Sequence, residues 1–216
     1  MNLLRDWYFV QVGNLDPRAG NLPLPDDLMG QLIRFVSCHE VGHSLGLQHN
    51  FRASSTYTVE QMRDPEFTRE NGHVSSIMDY ARFNYVAQPG DNTNLIPILG
   101  PYDKYVIEWG YIPIAGSGLP EDEKEELNRI ALRQEENEWL RFSVSDGADP
   151  ATQTEDLGSD PIAATELGLR NIEAIAGILF EASTTDGEDY SDLEELFGRL
   201  VGQRNRELRH VVTMVG

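Results

Sequence analysis

Leu28, Leu32, Phe35 and Val36 recur at helical spacing, and the series runs on through His39 and His43. The pattern predicts a helix from about residue 27 to about residue 45, one stripe of it buried, with Asp26 or Asp27 to cap its start and complement its dipole. Before it, the aromatic and β-branched residues of Asp6–Val12 predict a strand, and the glycine, proline and asparagine of residues 13–25 a loop. After it, Thr58 with Gln61 three positions on is a capping-box pattern that predicts a short helix over 59–63, ended by Asp64-Pro65. Glu70–His73 reads as a turn that leaves His73 at the surface. Proline at 101 and glycine at 110 bracket another helix of about nine residues.

The pattern changes beyond a proline- and glycine-bearing linker at 113–119. Residues 121–142 are charged with helical propensity, and 143–160 are polar and loop-like. Asp160-Pro161 then opens a helix whose expected buried positions are Ile162, Leu167, Ile172, Ile175, Leu179 and Phe180. Ser191 to Glu194 forms a second capping-box pattern. The stripe that follows is Leu193, Leu196, Phe197, Leu200 and Val201, continuing as Leu208, Val211 and Val212. Two portions are expected: residues 1–112, and an acidic helical region over 113–216.

Charge sharpens that division. The 216 residues carry a formal charge of −19, with 13 acidic and 8 basic side chains in residues 1–118 and 23 and 9 in the remainder. Such a surface repels phosphate backbones and anionic lipid, so nucleic acid and membrane surfaces are poor partners. No apolar run approaches the length of a membrane span, and the first ten residues lack the features of a signal peptide. Cys38 is the only cysteine, which excludes an intrachain disulfide. It points about 100° around the helix from His39, so it reads as a small buried core residue, not a ligand.

The chemistry concentrates in residues 39–49, which read His-Glu-Val-Gly-His-Ser-Leu-Gly-Leu-Gln-His. On a helix, His39 and His43 lie one turn apart on one face and can reach a single metal ion, with Glu40 beside them. Gly46 stands where a helix needs a left-handed stop. The chain can then bring His49 back as a third ligand. Three imidazole nitrogens and an open fourth position describe a catalytic Zn²⁺ site, with Glu40 as general base toward a zinc-activated water.

With Ser75-Ser-Ile-Met-Asp-Tyr80 downstream, the chain resembles the metzincin metallopeptidases. The resemblance implies that Met78 lies beneath the zinc-binding imidazoles without touching the metal, and that Tyr80 reaches toward it. It also implies that the helix after Gly100 closes the catalytic domain, with an aspartate near its start. The wider stretch from Trp7 to Tyr111, and the helical tail, are similar to a bacterial family of large extracytoplasmic zinc-dependent metalloproteases. A complete metzincin places a twisted sheet before the zinc helix, and here 38 residues precede His39. The chain is therefore expected to be the C-terminal portion of a longer protein, mainly α in fold (α+β if complete).

The function expected is a zinc-dependent metalloendopeptidase acting on a protein or peptide substrate. The alternatives are a catalytically incomplete fragment that binds metal or a partner, and an amidase whose substrate is not protein.

Overall fold

The computed structural model describes residues 2–116, 118–144 and 149–215, and among them no strand forms. Helices α1 (Asn2–Val12) and α2 (Asp26–Ser44) come first, followed by the short α3 (Val59–Arg63) and α4 (Pro65–Asn71). Next come α5 (Pro101–Tyr111), α6 (Lys124–Ala131) and α7 (Arg133–Glu136). The long α8 (Pro161–Ser183) and α9 (Ser191–Val215) close the chain. The mainly α class expected from sequence is what the structure has.

Residues 6–12 are helical, not the expected strand. The reason lies in what α1 touches. Tyr8 and Val12 pack with Leu28 and Leu32 of α2, while Phe9 and Val10 pack with Ile172, Ile175, Leu196 and Leu200 of α8 and α9. A helix buried on two sides has no polar stripe, so its 3.6-residue period is erased from the sequence. Its aromatic and β-branched residues then imitate a strand, and tertiary packing overrides their propensity.

In α2, Leu28 and Leu32 are fully buried, each contributing about 1.5–3 kcal/mol of apolar transfer. The stripe does not continue as expected: Phe35 is half-buried and Val36 exposed. Cys38 is half-buried, on a face of α2 that lines a cavity with Tyr8, Asp16 and Arg34, and not in the core. No side chain caps α2; Asp26 and Asp27 act through the helix dipole in its first turn. The helix ends as the sequence predicts. Gly46 has φ of 87°, its N–H donates to His43 O at 2.9 Å, and Leu47 N–H donates to Gly42 O at 3.0 Å. That is a Schellman stop.

The capping box of α3 forms as expected, Thr58 and Gln61 exchanging both bonds. Asp64 then caps α4, a helix the sequence reading passed over. His73, expected at the surface, is fully buried, and neither ring nitrogen has a hydrogen-bond partner in the protein. Burial drives its pKa down to about 3, so it is neutral.

Residues 121–142 break into pieces: only Ile130 and Leu140 are buried there, and no continuous apolar stripe holds one helix straight. Asp160 caps α8 by accepting from the N–H groups of Ile162 and Ala163, and Leu167, Ile172, Ile175 and Leu179 are buried as expected. Ile162 and Phe180 are exposed. Along α9 the buried seam is Leu196 and Leu200, then Gln203, Glu207 and His210, while Phe197, Val201, Leu208 and Val212 face outward. The polar half of the seam is joined internally and to its surroundings: Gln203 Nε2 donates to Glu207 Oε1, Thr165 Oγ1 donates to the Glu207 backbone oxygen, and His210 Nε2 meets Thr154 O.

Candidate metal centre

One turn of α2 sets His39 and His43 with ring centroids 4.8 Å apart. After the Gly46 stop the chain doubles back and brings the His49 ring to 5.2 Å from His39 and 4.6 Å from His43. All three predicted ligands therefore come together, and among the described residues they form the one histidine, cysteine or carboxylate cluster with the spacing to hold a metal ion.

Each α2 imidazole is oriented by its other nitrogen. His39 Nδ1 lies 2.7 Å from Ile77 O, and His43 Nδ1 lies 2.9 Å from Leu47 O. A carbonyl oxygen only accepts, so both Nδ1 atoms carry the proton and both Nε2 atoms present lone pairs. These Nε2 atoms converge on His49 Nε2 at 3.3 Å and 3.1 Å. No carbonyl sets the His49 tautomer; with its Nε2 unprotonated, three lone pairs face one point, and the donor set fits a tetrahedral ion with one position open. Burial first, and then His43 and His39, lower the pKa of His49, which favours its neutral, ligating form.

The residue bearing the carbonyl that orients His39 is itself held, and Met78 N–H, in the same peptide unit as Ile77 O, donates to Ser76 Oγ at 3.0 Å. Asp103 Oδ2 accepts from Ile77 N–H at 2.9 Å and Gly100 N–H at 2.7 Å, and Oδ1 accepts from Ser76 Oγ at 2.6 Å. Burial pushes the Asp103 carboxyl up, against these bonds and His39, which pull it down. The aspartate was implied by the resemblance; its grip on the Ile77 peptide was not legible. The approach is tight. A Cβ on Gly100 would lie 2.1 Å from Ser75 O.

Met78 is fully buried, and its sulfur faces Gly42 so closely that a Cβ there would lie 2.3 Å from Sδ. Gly42 is not singled out by the motif spacing, although a glycine between the two histidines of a packed helix is itself a sign of close approach. The Tyr80 ring is 42% exposed, with its centroid 4.3 Å from His49 and 5.8 Å from His39. Glu40 is exposed and borders the same cavity as His39, His43 and Tyr80.

The loop after His49 is pinned from the second half of the chain. Asn50 Nδ2 donates to Arg141 O, and Asn50 Oδ1 accepts from Ser143 N–H. Asp79 accepts from Ser54 N–H at 2.8 Å, and Ser54 Oγ donates to Asp156 at 3.0 Å.

Three imidazole nitrogens aimed at one point from a helix and its return loop define a zinc metallopeptidase-like domain. The particular family agrees: the model of the Met-zincin family matches residues 21–216, and the chain belongs to that family. No curated protein and no solved structure matches it. No helix among the described residues is long and apolar enough to cross a membrane.

Proposed function

We propose that this chain carries the catalytic centre of a zinc-dependent metalloendopeptidase, with residues 1–112 bearing the chemistry and 113–216 forming an acidic helical region. The observation that carries the reading is the convergence of the three Nε2 atoms, two of them with their tautomers set by backbone carbonyls. His39, His43 and His49 would hold Zn²⁺. Zinc bound there supplies Lewis acidity, lowering the pKa of water from 15.7 toward about 7 and polarising a carbonyl.

The remaining work belongs to the protein. Glu40 accepts the proton of the attacking water and returns it to the leaving amine. Tyr80 donates to the carbonyl oxygen as negative charge builds on it, a contribution of about 3 kcal/mol for comparable donors. Met78 underlies the imidazoles, and Asp103 keeps His39 aimed through Ile77. The substrate is a protein or peptide. The likeness to large extracytoplasmic bacterial proteases supports an extracytoplasmic place of action by analogy.

The test is to incubate the zinc-loaded chain and its Glu40→Ala form with a diverse peptide mixture, read by mass spectrometry beside the zinc content of each. Cleavage by the first alone, with one zinc in both, is the expected result. Zinc without cleavage in both would instead favour a metal- or partner-binding role.

A further inference from the structure

Past Tyr80 the chain passes through Arg82, whose φ is 48°, and on the segment leading into α8 Glu155 has φ of 68°. Side chains with a Cβ are disfavoured in this left-handed region, and residues held there cluster where a fold needs a side chain aimed. The two strained residues meet. The Arg82 guanidinium pairs with one Glu155 carboxylate oxygen, and Arg206 of α9 takes the other. Arg82 also lies over the Trp7 indole, with Cζ 3.6 Å from the ring centroid.

Trp7, Arg82 and Glu155 line one cavity of about 450 Å³ that also borders His39, Glu40, His43 and Tyr80. Its remaining apolar walls are Leu4, Phe35, Val36 and Phe83. That size lies within the range of about 300–1,000 Å³ usual for ligand pockets. Asp79 borders it too, one of its oxygens committed to Ser54 N–H.

We infer that this cavity receives the substrate side chain beside the bond to be cut, and that the Arg82–Glu155 pair restricts it to bulky uncharged side chains, aromatic or long aliphatic. This rests on the peptidase reading of the metal centre. The walls supply apolar contact along most of the cavity. Glu155 already occupies the guanidinium, so an acidic side chain would have to displace it to find a partner. A lysine would approach two arginines that share one glutamate, and the other carboxylates on the cavity are engaged elsewhere, Glu40 with the attacking water and Asp79 with Ser54 N–H. Glu155 is therefore a specificity determinant contributed by the second half of the chain, acting through Arg82.

Calorimetry of the zinc-loaded chain with dipeptide hydroxamates tests this without turnover. The chelating group stays constant and the neighbouring side chain is that of phenylalanine, leucine, alanine, aspartate or lysine. The phenylalanine and leucine compounds should bind about tenfold or more tighter than the alanine compound, and the two charged ones no tighter than it. In Glu155→Gln, with folding checked by circular dichroism, the aspartate compound should gain about tenfold relative to phenylalanine; in Arg82→Gln it should not.

Equal affinities across the wild-type series would overturn the pocket while leaving the metal centre standing. No binding by any compound would overturn the metal centre and the pocket together. An unchanged ranking in a folded Glu155→Gln would overturn the role of the pair. Should that variant fail to fold, the wild-type series and Arg82→Gln still decide.

Discussion

Asp103 under the metal centre and Glu207 under α9 are both carboxylic acids taken out of water, 4% and 0% exposed. Asp103 accepts three hydrogen bonds, two of them from backbone N–H groups that it thereby fixes in place. Glu207 accepts one from Gln203 at 2.8 Å, and its other oxygen has no hydrogen-bond partner, with His210 Nδ1 3.9 Å away. Burial pushes Glu207 up to about 8. The first region uses a buried carboxylate to aim a backbone carbonyl at a ligand. The second keeps a buried acid protonated at neutral pH and accepts from the Gln203 side chain, where Asp103 accepts from the backbone.

The largest effect should fall where the aimed region does its chemistry. Glu40→Ala is expected to lower kcat/KM by about 10²–10⁴-fold with zinc stoichiometry unchanged, the range for a general base. Loss of zinc along with activity would make Glu40 structural and erase the distinction between the two regions.

Next comes Asp103. Removing the group that orients a ligating histidine typically costs 10–100-fold in metal affinity, so competition with a fluorescent chelator should show a loss of about that size for Asp103→Ala. Asp103→Asn can keep both backbone bonds and reverse the one to Ser76 Oγ, so it should retain most of the affinity. Equal losses in the two variants would mean that the charge matters and the aiming does not.

Gly42→Ala asks whether the packing is as tight as the hydrogen bonding. The new Cβ would meet Met78 Sδ at 2.3 Å, and overpacking of this kind costs about 1–3 kcal/mol in denaturant unfolding. The cost stays in that range because the Met78 side chain is flexible. Gly30→Ala, with open space around its Cβ and the same helix propensity gain, is the control.

The same contrast explains what could be read from sequence. The histidine cluster was legible because residues 39, 43 and 49 lie within one helix and its stop, where spacing alone sets geometry. The α3 capping box and the α8 start were legible for the same reason. Burial that depends on distant partners was not. His73 sits in a turn-like sequence yet is enclosed, and α1 lost its period by packing on two sides. The polar half of the α9 seam was unreadable because Gln203, Glu207 and His210 look like a solvated face in sequence and are buried only through contacts with distant elements. Arg82 and Glu155 are 73 positions apart, and nothing local announces that they meet.

The smallest effect tests the second region through pH. Glu207 is an acid whose folded pKa, about 8, lies above its unfolded value of 4.5. The folded state therefore holds the extra proton between those values, and stability falls as pH rises through that window. His210 and His73 oppose it. Their folded pKa values, about 4 and about 3, lie below the ordinary 6.5, so they lose stability as pH falls below 6.5. Asp156, raised to about 6 by burial, works in the same direction as Glu207 but is spent above that pH. Between pH 6.5 and 8 Glu207 is thus the dominant one of these four groups, while the two histidines, half protonated in the unfolded chain at pH 6.5, offset part of its effect. One proton over that interval amounts to at most about 2 kcal/mol. Urea unfolding at pH 6.5, 7.25 and 8 should show wild-type stability declining by about 1 kcal/mol, and Glu207→Gln should abolish the decline while keeping the Gln203 bond. A decline that survives in Glu207→Gln would place the titrating group elsewhere, and Glu207 would then be as fully held in the fold as Asp103.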